Sequence, residues 1–391
     1  MVLKFPDNFL WGSATSAYQV EGGNKFSDWE INPPKPGHGP AGIACDHYNR
    51  FEQDFDLLKK LNQNVHRFSI EWARIEPRQG EFDKAEIEHY RKVLLALKQR
   101  GIKTMVTLHH FTLPQWLAEI NGFANKKSIE YFTRYSAKMF GEYKDLVNFW
   151  ATINEPMVFS GLGYFQKLWP PQKRNIFLYV RVVNNLIKAH KSVYKLLKAF
   201  GREGISVGIV KNNSYLEPYK NLLDRFVVGL LNWWQNRYFL NKIKNDTDFI
   251  GLNFYMHFKI RFPFKIKNEN KKTSDMGWEL YPEGIYYLLK DLKKYNKPVY
   301  ITENGLADSE DKNREWYIRE VFKNIHRAIQ EGIDVKGYFY WSLMDNFEWA
   351  DGFEPRFGLI EIDYKTLERK PRLSAHFYSE ICKNNQLLIE G

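Results

Sequence analysis

NKPVYITENGLAD, at Asn296–Asp308, joins a short apolar run to an abruptly polar end. Val299–Ile301 has the β-branched and aromatic composition of a buried strand. The run then ends at Glu303, which is followed by an asparagine and a glycine. A carboxylate leaves water at a cost unless it is paired or used. Glu303 is therefore either a solvated loop residue or a functional one, and the rest of the chain decides between these readings.

Seven further runs of this kind alternate with longer, charged, amphipathic segments. They are NFLWGSAT near the start, Asn64–Ile70, Lys103–His110, Leu146–Pro156, Gly204–Val210, DFIGLNFY and VKGYFYWSL. Strand–helix alternation predicts parallel strands joined by crossover helices. Eight such units predict an α/β protein with a single (β/α)8 TIM barrel as one catalytic domain over residues 1–391. No glycine-rich phosphate-binding motif follows a strand, which argues against a dinucleotide-binding fold.

The composition allows a large folded core and limits the candidate partners. Of the 391 residues, 44% are hydrophobic and 16% are aromatic. The formal net charge of +11 brings nucleic acid or an anionic surface into consideration. Lysines and arginines are nevertheless mostly interleaved with acidic residues, and the densest basic stretch, Lys259–Lys272, is interpreted as a solvated loop. We therefore expect no nucleic-acid partner.

The sequence contains no recognisable targeting or metal-binding signal. Cys45 and Cys382 are far apart and form no CxxC pair. The start, MVLKFPDNFLWG, has no long apolar region, and no run approaches the roughly 18 uncharged apolar residues of a membrane span. These features predict a cytoplasmic protein with no membrane partner, no metal and no cofactor. The oligomeric state stays open.

Polar or aromatic side chains stand at nearly every predicted strand exit, where the active site of such a barrel lies. In chain order they are Gln19, Arg67, His109, His110, Asn154, Glu155, Asn253, Tyr255, Glu303, Trp341, Glu348 and Trp349. Glu155 and Glu303 follow the fourth and seventh strands, so both face one barrel mouth. Acetal hydrolysis requires two carboxyl groups at a cleft, one protonated to release the leaving oxygen and one ionised to attack or to activate water.

Five motifs, in this order along the chain, closely resemble glycoside hydrolase family 1, the β-glucosidase-type retaining glycosidases. They are FLWGSATSAYQVEG, RFSIEWARIEP, TINEP, ITENG and WSLMDNFEWADGFEPRFGL, and together they extend over nearly the whole chain. The resemblance implies an exo-acting β-glycosidase that works with retention through a covalent glycosyl-enzyme. Its expected substrates are small β-glucosides or oligosaccharides, with β-galactosidase and β-fucosidase as side activities.

The resemblance also implies roles for individual residues. Glu155 is expected to be the acid/base and Glu303 the nucleophile. Arg67 and Tyr255 are expected to contact Glu303, with Asn253 as a polar support beside them. The residues expected to hold the non-reducing sugar are Gln19, His110, Asn154, Tyr255, Trp341 as a platform under the ring, Glu348, Trp349 and Phe357 as a wall.

Two alternative functions and one question of specificity stay open on the sequence. The first alternative is a 6-phospho-β-glucosidase. Phosphate-specific relatives replace the acidic residue of the last motif, whereas this chain keeps Glu348, with the cationic Arg356 close to it in sequence. The second is a catalytically inactive sugar-binding barrel, although both Glu155 and Glu303 are present. HFTLP, at His110–Pro114, stands where many members have His-Trp-Asp-Leu-Pro, which leaves the gluco, galacto and fuco ranking open.

Overall fold

The computed structural model describes residues 1–200 and 204–389, and its centre is a closed barrel of eight parallel strands. Strands β1 to β8 are Leu10–Ala14, Val65–Ser69, Lys103–His109, Phe149–Asn154, Ser206–Asn212, Phe249–Asn253, Val299–Asn304 and Val335–Trp341. Each strand pairs with the next in chain order, and β8 closes the barrel on β1 with Gly337 opposite Leu10. The eight predicted strands and the predicted (β/α)8 barrel are confirmed.

A helix follows each barrel strand, and all but the fifth, Leu222–Asn232, contribute buried residues to the cluster between barrel and helices. Helices α1 to α8 are His47–Lys60, Lys84–Gln99, Ser128–Tyr143, Ile176–Ala199, Leu222–Asn232, Gly284–Leu292, Arg314–Gln330 and Leu373–Asn384. Helix α7 illustrates their pattern, because Ile318, Val321, Phe322 and Ile325 recur at helical spacing and are all buried. Helix starts are capped where the sequence provides an acceptor, as at Asp83, whose side chain accepts hydrogen bonds from the first backbone N–H groups of α2.

Shorter helical segments and small sheets lie outside the barrel. The short helical segments are Ala17–Val20, Asp28–Ile31, Trp72–Ile75, Gln115–Glu119, Gly122–Ala124, Pro156–Tyr164, the π-helix Trp233–Arg237, Tyr238–Ile243, Lys293–Tyr295 and Trp349–Asp351. The small sheets pair Val2–Lys4 with Gln386–Leu388, Ile360–Ile362 with Arg369–Pro371, and His257–Arg261 with both Tyr215–Pro218 and Lys265–Ile266. In the described ranges, no helix combines the length and the apolar character needed to cross a bilayer.

The core consists of two layers on either side of the barrel wall. Neighbouring residues of β7 show the division, because Tyr300 belongs to the cluster inside the barrel while Ile301 belongs to the cluster between barrel and helices. Side chains alternate across a strand, so a strand covered on both faces is apolar throughout. The inner cluster includes Leu10, Val65, Met105, Ala151, Val210, Phe249, Phe339 and Trp341. This packed interior lies beneath the carboxyl ends of the strands, which carry the polar residues of the barrel mouth.

Candidate active site

A cavity of about 300 Å³ lies at the carboxyl ends of the barrel strands. Eight of the residues predicted from the sequence are in its wall: His110, Glu155, Tyr255, Glu303, Trp341, Glu348, Trp349 and Phe357. The other four are fully buried and are hydrogen-bonded to residues of the wall: Gln19, Arg67, Asn154 and Asn253. The structure thus brings these twelve residues to one place, whereas His109, which precedes His110, is buried against Phe123, Phe132 and Phe159.

The sequence Glu-Asn-Gly at the end of β7 fixes the position of Glu303. The side-chain amide of Asn304 donates to the carbonyl oxygen of Phe254 at 2.6 Å, which ties the end of β7 to the end of β6. A Cβ atom on Gly305 would lie 1.8 Å from the carbonyl oxygen of Trp341, so only glycine allows β7 and β8 to approach this closely. Glu303 itself is 4% exposed. It is therefore a buried residue of the cavity wall and not a solvated loop residue.

The carboxylate of Glu303 is held by one charged and one neutral donor. Arg67 Nη1 lies 2.5 Å from Glu303 Oε1, and the hydroxyl of Tyr255 donates to Oε2 at 2.9 Å. Burial raises the pKa of Glu303, and the charge and hydrogen bond of Arg67 together with the Tyr255 hydrogen bond oppose that rise. A buried carboxylate with a guanidinium partner keeps its charge more readily than one without.

The carboxyl group of Glu155 has amide partners instead. Asn253 Nδ2 donates to Glu155 Oε1 at 2.6 Å, and Asn212 Nδ2 donates to the same oxygen at 3.3 Å. Burial, and then the negative charge of Glu303, raise the pKa of Glu155 to about 7. Glu155 adopts a left-handed backbone conformation with φ of 44°, immediately before the helix that begins at Pro156. Such a conformation is uncommon for a residue with a side chain.

A hydrogen-bonded chain leads from Arg67 to the sugar side of the cavity. Arg67 Nη2 donates to Asn154 Oδ1 at 2.7 Å, which orients the amide so that Asn154 Nδ2 faces His110 Nε2 at 3.1 Å. Burial, reinforced by Arg67, lowers the pKa of His110 well below its usual value. The imidazole is then neutral, with Nε2 as acceptor and the proton on Nδ1. Within the described residues His110 Nδ1 is buried and has no hydrogen-bond partner.

At the β8 side, Gln19 supports the acidic residue of the last motif. Gln19 Nε2 donates to the carbonyl oxygen of Phe347 at 2.8 Å and lies 3.3 Å from Glu348 Oε2. Burial, and then the charge of Glu303, raise the pKa of Glu348 to about 8. Glu348 remains partly exposed to the cavity. It therefore offers a carboxyl group that can either donate or accept a hydrogen bond near neutral pH.

Arg356, which is close to Glu348 in sequence, is bound elsewhere. Its Nη1 lies 3.2 Å from Asp345 Oδ2 and donates to the carbonyl oxygen of Ile362 at 2.9 Å. Across the described ranges, no lysine or arginine is part of the cavity wall. A phosphate group beside Glu348 would thus meet a carboxyl group without a fitted cation.

Aromatic rings form the remaining wall. Trp341 lies nearly parallel to His110, with ring centroids 6.0 Å apart and an interplanar angle of 24°. Phe111 packs against Trp349 at 5.1 Å and against Trp169 at 4.9 Å. Trp169 also packs against Trp349 at 5.6 Å. Trp169 therefore contributes ring surface next to the smaller Phe111.

Several residues of the site were not predicted from the sequence. Asn212 is one of them, because the apolar run predicts a fifth strand that ends at Val210, whereas the strand continues for two residues to Asn212. Between them, Lys211 is buried, and its Nζ donates to the carbonyl oxygens of Asn212 and Gln235 at 2.7 and 2.6 Å. The polar residues that end this strand could have identified Asn212 from the sequence. Trp169, Met276 and Trp278 also line the cavity, but they lie in segments without periodic patterning.

Comparison with known proteins agrees along the whole chain. The sequence profile of Glycosyl hydrolase family 1 matches residues 1–247 and 238–387. Beta-glucosidase A of Thermotoga maritima is 36% identical over 444 residues, which cover 99% of each chain. The structure of a beta-glycosidase from Pyrococcus horikoshii superposes with a TM-score of 0.93 and 38% identity, over 100% of this chain and 97% of that one. A Thermotoga maritima beta-glucosidase in complex with glucoimidazole gives a TM-score of 0.94 and 35% identity, over 98% and 99% of the chains.

Proposed function

The chain belongs to glycosyl hydrolase family 1, and we propose that it is a retaining, exo-acting β-glucosidase that hydrolyses terminal non-reducing β-D-glucosyl residues. The observation that carries the proposal is the unequal surroundings of two carboxyl groups in one cavity. Glu303 has a guanidinium partner, and Glu155 has amides and a pKa raised to about 7. One group is thereby suited to attack and the other to donate a proton.

In the first step, Glu303 attacks the anomeric carbon as a carboxylate. Glu155 gives its proton to the glycosidic oxygen while the bond from that oxygen to the anomeric carbon breaks. The products of this step are the free leaving-group alcohol and a glycosyl ester of Glu303. Arg67 contributes by keeping the carboxylate ionised, and Tyr255 by holding its second oxygen in place.

In the second step, water replaces Glu303 at the anomeric carbon. The ester no longer carries the charge that raised the pKa of Glu155, so Glu155 is now more readily ionised and takes a proton from the water. The water oxygen bonds to the anomeric carbon, and Glu303 leaves as a carboxylate. Two inversions at one carbon return the β-configuration, and both groups end in their starting states.

The sugar is held by side chains of the cavity wall. His110 and Glu348 line the cavity and are positioned to bind hydroxyls, and the apolar face of the sugar ring stacks on Trp341. Gln19 and Asn154 hold Glu348 and His110 in place from behind the wall. The named ligand of the Thermotoga maritima complex, glucoimidazole, supports a glucose-shaped site.

The function is tested with a panel of nitrophenyl β-glycosides in the gluco, galacto and fuco series, followed by proton NMR of the early product. We expect hydrolysis of the glucoside, with the β-anomer of glucose formed first. Early α-anomer would contradict the double displacement. Binding without any turnover on the panel would instead favour the inactive sugar-binding barrel.

The phosphorylated alternative is tested with nitrophenyl β-glucoside 6-phosphate. A phosphate dianion beside Glu348, without a cation in the described wall, is expected to lower kcat/KM by about a hundredfold or more relative to the unphosphorylated glucoside. Glu348→Ser removes this carboxyl group and should narrow the ratio of the two kcat/KM values. Comparable activity on both substrates would reject both this preference and the role given to Glu348.

A further inference from the structure

One side of helix α5 carries apolar residues that nothing in the described chain covers. Leu222, Phe226 and Leu230 of α5, and Trp233 at the start of the π-helix that continues it, follow one another at helical spacing. All four are exposed, Leu222 to 78% and Phe226 to 72%. Helix α5 does have a buried side as well, because Val227 and Val228 pack with Ile260. The exposed stripe is therefore additional to the residues that attach α5 to the protein.

A neighbouring hairpin adds a second apolar set next to this stripe. The hairpin joins His257–Arg261 to Lys265–Ile266, and its exposed apolar residues are Phe262, Phe264 and Ile266. The backbone N–H of Phe262 donates to Asp224 Oδ1 at 2.8 Å, and Asp224 caps the start of α5. The tip of the hairpin thus lies at the first turn of α5. We call this set of exposed residues, Leu222, Phe226, Leu230, Trp233, Phe262, Phe264 and Ile266, the docking face.

Basic residues surround the docking face. On the hairpin, Arg261 pairs with Lys265 across the two strands, and Lys267 follows Ile266. On α5, Arg225 is exposed beside the apolar stripe, and Lys220 precedes the helix. The acidic residue within α5, Asp224, is buried and used as a cap. The rim of the docking face is therefore strongly positive around an apolar centre.

We propose that the docking face binds the surface of an anionic lipid bilayer. Exposed leucine, phenylalanine and tryptophan side chains enter the boundary between headgroups and acyl chains, while lysine and arginine bind acidic headgroups. Monomeric soluble proteins rarely leave large apolar patches uncovered. Nucleic acid would match the charge but would leave the apolar centre without a partner. A second copy of the chain, docked face to face, would place two positive rims together.

This contact revises the expectation of no membrane partner, which rested on the lack of a spanning segment. A surface contact needs no spanning helix. It also gives a role to part of the basic stretch Lys259–Lys272, which the sequence alone suggested was a solvated loop. Both elements of the docking face follow the carboxyl ends of β5 and β6, so they lie at the same end of the barrel as the cavity. Docking would bring the cavity to the membrane side of the protein.

The proposal is tested by sedimenting the full chain with phosphatidylcholine vesicles made with and without phosphatidylserine. We expect binding that requires phosphatidylserine and weakens as the salt concentration rises. Phe226→Ser combined with Phe264→Ser should abolish sedimentation, and each of Lys265→Gln and Lys267→Gln should weaken binding about fivefold. Matched controls are Phe177→Ser, which removes a phenylalanine 81% exposed elsewhere, and Lys126→Gln with Lys127→Gln.

Turnover of nitrophenyl β-glucoside and the melting temperature check that each variant is folded. Equal sedimentation of wild type and docking-face variants, or no sedimentation with either lipid, would overturn the proposal. A concentration-dependent dimer in light scattering that Phe226→Ser abolishes, without lipid binding, would assign the face to a second copy. Retention of the wild type by an oligonucleotide but not by vesicles would assign it to nucleic acid. Because the proposal does not depend on the glycosidase assignment, each can fail without the other.

Discussion

The ends of β4 and β7 carry the same side chain in different surroundings. Glu303 at the end of β7 contacts a buried guanidinium, whereas Glu155 after β4 contacts two side-chain amides. Burial raises the pKa of both carboxyl groups, so burial does not distinguish them. The difference comes from Arg67, which opposes the rise at Glu303, and from the charge of Glu303, which adds to the rise at Glu155.

Asn253 and Arg67 connect the two strand ends. Arg67 binds both Glu303 and Asn154, and Asn253 binds Glu155 and lies 3.3 Å from Asn154 Oδ1. Two carboxyl groups that share a network titrate as a pair. A change at one strand end is therefore expected to be felt at the other, and the predictions below separate the two contributions.

The largest expected effect is that of Glu303→Gly. Loss of the nucleophile should lower kcat for nitrophenyl β-glucoside by about 10⁴-fold or more, because no glycosyl ester can form. Azide enters the space left by the side chain and attacks directly, so it should restore turnover and give the α-glycosyl azide. The product configuration, read by NMR, is the decisive measurement. A β-glycosyl azide from this variant would mean that the roles of Glu303 and Glu155 are exchanged.

Glu155→Ala should lower kcat/KM by a factor that depends on the leaving group. A poor leaving group needs the proton of Glu155, so kcat/KM for cellobiose should fall by about 10²- to 10⁴-fold. Dinitrophenyl β-glucoside needs little protonation, and its first step should be nearly unaffected. With azide present, this variant should give the β-glycosyl azide, the opposite configuration to that of Glu303→Gly. Equal losses on all leaving groups would show that Glu155 is not the acid.

Arg67→Met should move the acid limb of the pH profile of kcat/KM. The wild-type profile should be bell-shaped, because activity requires ionised Glu303 and protonated Glu155, whose pKa is about 7. Removing the cation raises the pKa of Glu303, so the acid limb should shift to higher pH by about one to three units. Tyr255→Phe, which removes a neutral donor to the same carboxylate, is the matched control and should shift it less. An unmoved acid limb in folded Arg67→Met would exclude Arg67 as its cause.

The barrel and most of the site could be predicted from the sequence because both depend on strands. A parallel strand covered on both faces is a continuous apolar run, and the residue that ends the run, such as Glu303, lies at the mouth. The apolar run predicts a strand that ends at Val210 and so omits Asn212, because the next residue, Lys211, is polar, although its ammonium is satisfied by two backbone carbonyls. Trp169 and Trp278 could not be predicted, since a loop has no period and only tertiary packing determines which of its rings face the cavity.

The smallest expected effect concerns stability, and it separates the two strand ends without catalysis. The pKa of Glu155 is about 7 in the folded protein and roughly 4.3 in an unfolded chain. Between these values the folded state binds more protons than the unfolded state, so the free energy of unfolding falls as pH rises through this window and stays lowered above it. Glu155→Gln removes this contribution. Its melting temperature relative to wild type should therefore rise from pH 5 to pH 8, by an amount corresponding to a few kcal/mol at most. Glu303→Gln should instead be destabilised throughout, because it leaves the guanidinium of Arg67 buried without a counter-charge. A Glu303→Gln variant as stable as wild type, or a Glu155→Gln variant whose melting temperature relative to wild type does not rise with pH, would show that the surroundings of the two carboxyl groups do not differ as described.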